Sequence, residues 1–314
     1  MKIIPLAFDS FGVRSMSTLV ITKDVTIHID PGVALGPTRY GLSPTKEEYK
    51  ALELSRKIIM KAGKFSDVAV VTHYHYDHHP FPDDSEMYEK CFKEKVVIAK
   101  DIKKNIHASG RSRGRIFEEK VKDLAKKLEW GDGKEFKFGK TLVKISEPVW
   151  HGDVGSKVGK VLMVYVKRGR DSFLFGSDAQ GLTDPKSLEF VIENNPKFLI
   201  VDGYPTIFIG WKMSKKNFEI SKEHLKKALE KTDVKVMFLE HHGVRDINYK
   251  EKLKDVFEFA ENLGKRVVTA AEYYGLENLF LEAWRKDIHK GKMKVNVESY
   301  YKTLNRAIMQ KIKN

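Results

Sequence analysis

Short apolar segments alternate with amphipathic segments along most of this chain. β-Branched and apolar residues, punctuated by Ser, Gly, Pro or Lys-Asp, predict strands at 2–8, 16–22, 25–30, 67–72, 96–99, 142–145, 161–166, 173–175, 198–201, 234–239 and 266–270. Helical spacing of apolar residues predicts helices at 46–62, 116–128, 222–231, 249–263, 276–289 and 297–312, with Thr45 as the N-cap of the first. This alternation is typical of an α/β protein whose helices cover the faces of its sheets. Because no repeat or low-complexity linker divides the sequence, a single unit over residues 1–314 is predicted.

The apolar runs also exclude some classes of protein. The longest of them, such as residues 161–166, fall far short of the roughly 18 residues that a membrane-spanning helix needs. The N-terminal residues mix polar and apolar side chains and include Asp9, so they do not have the form of a secretory signal. Cys91 is the single cysteine, so the chain cannot form an internal disulfide. We therefore expect a cytoplasmic protein without membrane contact.

The charge balance is strongly basic. Lys and Arg number 57 against 43 Asp and Glu, a formal net charge of +14. A basic chain attracts polyanions such as nucleic acid, nucleotides and acidic metabolites. High charge content also serves solubility or life at high temperature, and the sequence leaves both interpretations open.

A histidine cluster follows the apolar run at 67–72. Four of the seven residues from His73 to His79 are histidine, in a chain that has 11. His73 and His75 lie two positions apart at the end of a strand, so their side chains leave the same face. Two imidazoles on one face can bind a metal ion, and Asp77 and His78 can face a second ion after the chain turns. Tyr74 and Tyr76 alternate with the histidines and are expected to pack on the opposite face.

The run His-x-His-x-Asp-His after an apolar strand resembles the signature of the metallo-β-lactamase superfamily. Further short motifs of that family follow in order: Asp30 before Pro-Gly, His151 in Pro-Val-Trp-His-Gly, Asp178 in Phe-Gly-Ser-Asp, and His241-His242-Gly243. The runs Ile-Asp-Pro-Gly and Tyr-His-Tyr-Asp-His-His are similar to those of an uncharacterised archaeal branch of the superfamily. The resemblance implies a four-layer αββα sandwich, with two mixed sheets face to face, helices outside and metal ions at one edge.

The resemblance also implies a ligand set. One metal ion would be held by His73, His75 and His151. A second would be held by Asp77, His78 and His242, and Asp178 would bridge the two. Relatives often place a glycine directly after the last ligand histidine, which favours His242 over its alternate, His241.

The acidic residues assigned to catalysis are Asp77 and Asp30. Asp77 would act as a metal ligand, and Asp30 would orient Asp77 or a ligand histidine.

A metal-dependent hydrolase is the leading hypothesis for function. Two divalent ions, expected to be zinc with iron or manganese as alternatives, would activate a hydroxide that attacks the substrate. The basic charge favours an anionic ester such as a phosphodiester of a nucleic acid or nucleotide, or another anionic small molecule. Zinc β-lactamases usually carry cysteine at the position of Asp178, so antibiotic hydrolysis is disfavoured. The alternatives are an iron-binding, dioxygenase-like oxidoreductase and a non-enzymatic nucleic-acid-binding module.

Two segments outside the metal motifs have unusual composition. Residues 79–150 form a longer basic insertion between metal motifs, and within it residues 100–127 contain ten Lys/Arg against four Asp/Glu. Arg111, Arg113 and Arg115 in this stretch could clamp a phosphate or could belong to a solvated helix face. Residues 203–213 are aromatic and apolar, which suits a substrate pocket, the core or a dimer contact. Residues 249–314 are expected to complete the sandwich with helices and a strand.

Overall fold

A computed structural model describes residues 1–313, and its strands form two large sheets and one short ribbon. The strands are β1 Lys2–Phe8, β2 Met16–Ile21, β3 Thr26–Ile29, β4 Val68–Val71, β5 Val96–Ala99, β6 Lys127–Trp130, β7 Glu135–Phe138, β8 Thr141–Ile145, β9 Val149–Trp150, β10 Lys160–Val161, β11 Val164–Arg168, β12 Asp171–Phe175, β13 Phe198–Asp202, β14 Val236–Glu240 and β15 Arg266–Val268. The first sheet has the order β1-β2-β3-β4-β5-β6, the second has the order β15-β14-β13-β12-β11-β8-β7, and β9 pairs with β10.

Each sheet is mixed, with an antiparallel part and a parallel part. In the first sheet β1, β2 and β3 are antiparallel neighbours, whereas β3 through β6 run parallel. In the second sheet β7, β8, β11 and β12 are antiparallel neighbours, and β12 through β15 run parallel. The carboxyl ends of parallel strands meet at one edge of a sheet, where ligands of such folds bind.

The two sheets pack face to face, as the alternation of side chains along their strands shows. On β12, Phe173 and Phe175 belong to the hydrophobic core shared with the first sheet, and Leu174 between them belongs to a separate core. On β14, Phe238 points into the shared core while Met237 points the other way. A sheet apolar on both faces must be covered on both, so helices pack on its outer side.

Helices cover the outer faces of both sheets. They are α1 Lys46–Phe65, α2 Ser85–Phe92, α3 Ala108–Val121, α4 Pro185–Asn194, α5 Lys215–Lys231, α6 Tyr249–Lys252, α7 Lys254–Asn262, α8 Ala270–Tyr273, α9 Leu281–His289 and α10 Val297–Lys313. The α1 and α10 helices contact the first sheet, and α4, α5 and α7 enclose the outer core of the second. The four layers α, β, β and α confirm the predicted fold class. Among residues 1–313, no helix is long and apolar enough to cross a membrane.

Several predicted boundaries are wrong, each for a local reason. The helix predicted at 116–128 ends at Val121, because Leu128 lies on β6 and pairs with Val97 of β5. The strand predicted at 161–166 is divided between β10 and β11, because the Leu162 amide donates to Thr72 O. The strand predicted at 266–270 ends early, since Thr269 caps α8 in a reciprocal pair with Glu272.

Other differences concern elements that the hydrophobic pattern did not predict. The α2 and α4 helices start at capping aspartates, Asp84 and Asp184, whose side chains accept from backbone amides. The helix predicted at 249–263 is interrupted at Leu253, and the one predicted at 276–289 starts at Leu281. Residues 79–150 contribute strands to both sheets, so the basic stretch between the metal motifs is part of the sandwich framework.

Candidate metal centre

The histidine cluster lies on the loop that follows β4, at the carboxyl edge of the first sheet. His78 N and His79 N both donate to His75 O, which closes a single turn between the first two histidines of the cluster and the last two. Gly32 of the neighbouring loop approaches this turn so closely that a Cβ there would lie 2.2 Å from His79 N. The Pro-Gly sequence after β3 is therefore required for the two loops to pack.

A first group of ligand atoms comprises His73, His75, His151 and Asp178. The His75 Nδ1 atom lies 3.1 Å from His73 Nε2 and 3.3 Å from His151 Nε2. Asp178 Oδ2 lies 3.0 Å from His151 Nε2 and 3.5 Å from His73 Nε2. One ligand atom from each residue lies within 4.8 Å of the others, so the four could share one metal ion.

A second group lies directly beside the first. One ligand atom each from Asp77, His78 and His241 falls within the same 4.8 Å. His241 Nε2 is 3.5 Å from Asp77 Oδ2, and His78 Nε2 is 3.0 Å from Asp178 Oδ1. Asp178 Oδ1 thus faces the second group, whereas Oδ2 faces the first group and lies 3.7 Å from His241 Nε2, which places this carboxylate between the two groups.

The two adjacent histidines at the end of β14 have different environments. His241 is fully buried and belongs to the group with Asp77 and His78. His242 is grouped with Asp178 and His241, and its Nδ1 donates to Asp202 Oδ2 at 2.8 Å. The glycine that follows His242 favours His242 as the ligand, but in the structure it is His241 that faces Asp77.

Buried carboxylates hold the second group from behind. Asp30 accepts from His78 Nδ1 at 2.7 Å, and also from the amide and hydroxyl of Thr72. Asp9 accepts from His241 Nδ1 at 2.6 Å and from Arg245 Nε at 2.8 Å. A carboxylate on the far ring nitrogen fixes the tautomer, so that the other nitrogen presents its lone pair.

The sequence motifs point to Asp30 but not to Asp9, Arg245 or Asp202. Asp202 ends β13 in the run Phe-Leu-Ile-Val-Asp, and Asp9 directly follows β1. Like Asp30, both aspartates end an apolar strand, but neither is followed by the Pro-Gly that marked Asp30 as part of the family motif. His79, in contrast, is buried between the rings of Tyr74 and Phe117 and takes no part in the two groups.

Backbone strain is concentrated at this edge of the sheets. Asp30, Ser177 and His241 have positive φ angles of 49°, 49° and 56°; Asp and His adopt this region more readily than most residues, whereas a serine there is uncommon. Gly203 and Gly243 lie so close together that a Cβ on Gly203 would be 2.6 Å from the Cα of Gly243. Strained residues persist where the surrounding structure holds them, and they cluster at functional sites.

A buried glutamate connects the site to both ends of the chain. Glu240 accepts from the amides of Ser10, Ala270 and His241 and from the hydroxyl of Ser10. Burial raises its pKa to about 7, although these hydrogen bonds favour the charged form. The residue directly before His241 is therefore tied to the first ten residues and to α8.

The pKa values of the histidines shift in opposite directions in the two groups. Burial lowers the pKa of His73 well below its usual value and that of His75 to about 3, and neighbouring histidines add to the effect. Burial opposes protonation of His78 and His241 too, but Asp178 and Asp30 raise the pKa of His78, and Asp9 and Asp178 raise that of His241 to about 10. The neighbouring carboxylates thus favour a positive charge at the second group, whereas burial disfavours one at His73 and His75.

The donor set fits divalent cations. Three imidazoles around an open position are typical of catalytic zinc sites, and carboxylates add the harder ligands that iron and manganese also accept. His78 Nε2 and both oxygens of Asp178 are buried and make no well-oriented hydrogen bond, although His78 Nε2 and Asp178 Oδ1 are only 3.0 Å apart. Buried polar atoms normally have hydrogen-bond partners. A cation bound between the imidazole nitrogen and the carboxylate oxygens would account for the missing partners here.

Solved structures show what the fold resembles. A "possible metal-dependent hydrolase" from Veillonella parvula matches with a TM-score of 0.51 at 13% identity, covering 82% of this chain and 94% of that protein. The diiron β-hydroxylase CmlA from Streptomyces venezuelae matches with a TM-score of 0.50 at 11% identity, over 85% of this chain and 52% of that protein. The layers, the strand order and these likenesses show a metallo-β-lactamase fold. At such identities the likeness concerns the fold alone.

Comparison with the sequences of other proteins shows the family of this chain. No protein-family model matches the chain. A UPF0282 protein of Methanocaldococcus jannaschii is 42% identical over 298 residues, covering 93% of this chain and 98% of that protein. A UPF0282 protein of Methanopyrus kandleri is 37% identical over 295 residues, covering 92% and 99%. With identities of this size over nearly the whole length of both relatives, the chain belongs to the UPF0282 protein family.

Proposed function

We propose that this protein is a metal-dependent hydrolase with two metal ions in adjacent sites. His73, His75 and His151 would hold one ion, Asp77, His78 and His241 the other, and Asp178 would bridge them. The observation that carries the proposal is the position of the Asp178 carboxylate, whose two oxygens lie 3.0 Å from His151 Nε2 and 3.0 Å from His78 Nε2. This buried side chain contacts both groups at once.

His241 is the better candidate for the second site. Its Nε2 faces Asp77 and Asp178 at 3.5 and 3.7 Å, and its other nitrogen is held by Asp9. The Nδ1 of His242 is bonded to Asp202, and the ring of His242 lies beside that of His151 at 5.9 Å between centroids. We therefore propose His241 as the ligand and place His242 at the rim of the site, where it would contact the substrate.

The residues around the two groups prepare the site for hydrolysis. Bound divalent ions would make water a stronger nucleophile near neutral pH and would polarise the ester that it attacks. Asp77 and Asp178 would offset part of the positive charge. Asp30 and Asp9 would fix the tautomers of His78 and His241, so no reorientation of these rings would be needed on binding.

An anionic ester is the proposed substrate class, with phosphodiesters foremost. The chain carries a net charge of +14. Arg113 reaches the ring of Tyr76, whose neighbours in sequence are His75 and Asp77, so a cation lies beside the ligand loop. Positive charge at a site entrance raises the local concentration of anionic substrates.

The test is metal analysis combined with a substrate panel. Plasma emission should find about two divalent ions per chain, as two-metal sites require. Bis-p-nitrophenyl phosphate should be hydrolysed faster than a lactone or a thioester, and His289→Ala, an exposed histidine far in sequence from the ligands, should match the parent protein. Preferential hydrolysis of the lactone or thioester would overturn the phosphodiester assignment.

The principal competing function is oxidative. The same ligand types bind iron, and the fold is shared with the diiron β-hydroxylase CmlA. A chain that retains iron and hydrolyses none of the three esters would replace the hydrolase proposal with this one. A chain that binds nucleic acid without any metal would instead indicate a binding module.

A further inference from the structure

Several aromatic side chains lie on the segments that carry or directly follow residues of the metal centre, and most of their rings have a cation beside them. We name the set Tyr76, Phe81, Trp150, Phe208 and Trp211 the aromatic rim. Tyr76 lies between His75 and Asp77 in the ligand loop, and its ring stacks on Phe81 with 4.4 Å between centroids and 22° between planes. Phe81 is 41% exposed, so the stack reaches the surface beside the ligands.

Arg113 is positioned over this stack by the packing of α3. Its guanidinium carbon lies 5.7 Å from the centre of the Tyr76 ring. The next residue, Gly114, packs so tightly that a Cβ there would be 2.8 Å from the ring of Tyr74. This close approach holds the basic α3 helix against the ligand loop.

Trp150 supplies a second ring on the segment that carries a ligand, because it directly precedes His151 in the chain. Lys160 Nζ lies 4.9 Å from the centre of its ring, across the ribbon formed by β9 and β10. Leu162 directly follows β10, and its amide donates to Thr72 O at the start of the ligand loop. The ring and its lysine are thus fixed to the backbone that carries the first ligand group.

Trp211 is the most exposed member of the rim. It is 73% exposed, Lys212 Nζ lies 4.2 Å from the centre of its ring, and Phe208 packs edge-on against it at 5.9 Å. Its loop follows Asp202, which accepts from the amide and the ring of His242, so the loop begins beside the candidate ligands. An exposed tryptophan ring with a lysine over it is suited to stack on an unpaired base whose phosphate the lysine can contact.

We propose that the aromatic rim binds single-stranded nucleic acid and presents one of its phosphodiesters to the metal centre. Unstacked bases pack on aromatic faces whatever their sequence, and cations beside those faces pair with the backbone phosphates. Within residues 1–313, Arg113, Lys160 and Lys212 have no carboxylate within 4.0 Å, so their charges are available to phosphates. A duplex keeps its bases stacked on one another, and their faces cannot reach these rings. The inference rests on the proposed phosphodiester hydrolysis for its reaction, but its binding surface can be tested separately.

The experiment measures binding by fluorescence anisotropy with the full-length, zinc-loaded protein. The probes are labelled oligouridylate and oligothymidylate of about 12 nucleotides, within the site size of known single-strand binders, and a duplex of the same length. Gel analysis after each titration checks that the probes are intact. Both single strands should bind more tightly than the duplex, and a preference between them distinguishes RNA from DNA.

Two variants test the rim directly. Trp211→Ala should weaken single-strand binding about fivefold or more, which is the lower range for loss of one stacked base. Arg113→Ala should also reduce the slope of log affinity against log salt by about 0.7, as expected when one phosphate contact of a single strand is lost.

Matched controls come from the opposite edge of the sheets. Phe65 is 69% exposed at the end of α1, before β4 begins, and Arg266 is exposed at the start of β15. Phe65→Ala and Arg266→Ala should leave strand affinity and salt slope unchanged.

The outcomes separate this inference from the proposed function. If the diester is hydrolysed but the duplex binds as tightly as the single strands, or Trp211→Ala behaves like Phe65→Ala, the rim inference is overturned while the hydrolase stands. If strand binding depends on Trp211 and Arg113 but no ester is hydrolysed, the binding surface stands and the hydrolase proposal fails.

Discussion

The two ligand groups differ in what holds their imidazoles. In the second group, the far nitrogens of His78 and His241 each donate to a buried aspartate, at 2.7 and 2.6 Å. In the first group, His73 Nδ1 has only the Thr72 and Ser177 hydroxyls at 3.3 and 3.5 Å. The far nitrogen of His151 has no hydrogen-bond partner within residues 1–313.

This contrast distinguishes a rigid half of the site from an adaptable half. Carboxylates behind a ligand imidazole raise its basicity and typically contribute a factor of about 10–100 in metal affinity. The second group should therefore bind its ion more tightly. The first group, formed by loop residues with weak support, should bind its ion less tightly and should tolerate movement of its imidazoles.

The largest expected effect comes from the residue shared by both halves. Asp178→Ala removes the carboxylate that faces His151 and His78, so the bound metal should fall below one ion per chain and diester hydrolysis should drop by about a thousandfold or more. Plasma emission and initial rates measure both. Retention of two ions by this variant would show that the two groups do not share a bridging ligand.

The next effect distinguishes the adjacent histidines at the end of β14. His241→Ala should reduce the metal content from about two ions to about one, because it deletes a ligand atom beside Asp77. His242→Ala should retain both ions while it lowers hydrolysis. The reverse pattern would return the ligand role to His242, as the glycine that follows it suggests.

A smaller effect is expected when the supporting carboxylates are neutralised. Asp9→Asn and Asp30→Asn should each weaken the more tightly held ion by about 10–100-fold, measured by competition with a chelating dye. Asp202→Asn is the matched control, because Asp202 supports His242 and should leave metal affinity unchanged. Equal losses in all three variants would indicate a general loss of structure, which thermal unfolding would reveal.

The smallest effect concerns the order in which metal leaves the parent protein. Graded additions of chelator should release one ion before the other, because the two sites differ in support. In Asp9→Asn the two ions should be released at more similar chelator concentrations than in the parent protein. If the parent protein and Asp9→Asn both released their ions in one step at the same chelator concentration, the proposed difference between the two halves would be contradicted.

Much of this fold could be predicted from the sequence because its strands are short, apolar and β-branched. The segment around β4 and the Thr45 cap of α1 follow local rules that one sequence displays. The edges of β10 and β11 could not be predicted, because they depend on a bond between Leu162 and Thr72, which lie far apart in sequence. Such pairings are decided by tertiary packing.

The same distinction applies to the site. His73, His75, Asp77 and His78 lie together because they share one loop, and the spacing alone indicates this. Asp9 contacts His241 across 232 positions, and no local pattern connects them. Arg245 gave no signal either, because a single arginine in a basic chain is unremarkable until its burial is known.

Glu240 has a consequence for how the protein can be shortened. Its carboxylate accepts from the amides of Ser10, Ala270 and His241. One side chain therefore links the N-terminal segment and the α8 helix to the residue that we propose as a metal ligand. Removing the first ten residues would delete the two donors from Ser10, and removing the chain from α8 onward would delete the amide of Ala270, so either truncation would leave the buried Glu240 carboxylate with fewer hydrogen bonds. We therefore expect that a truncation reaching Ser10 or Ala270 would destabilise the candidate metal centre.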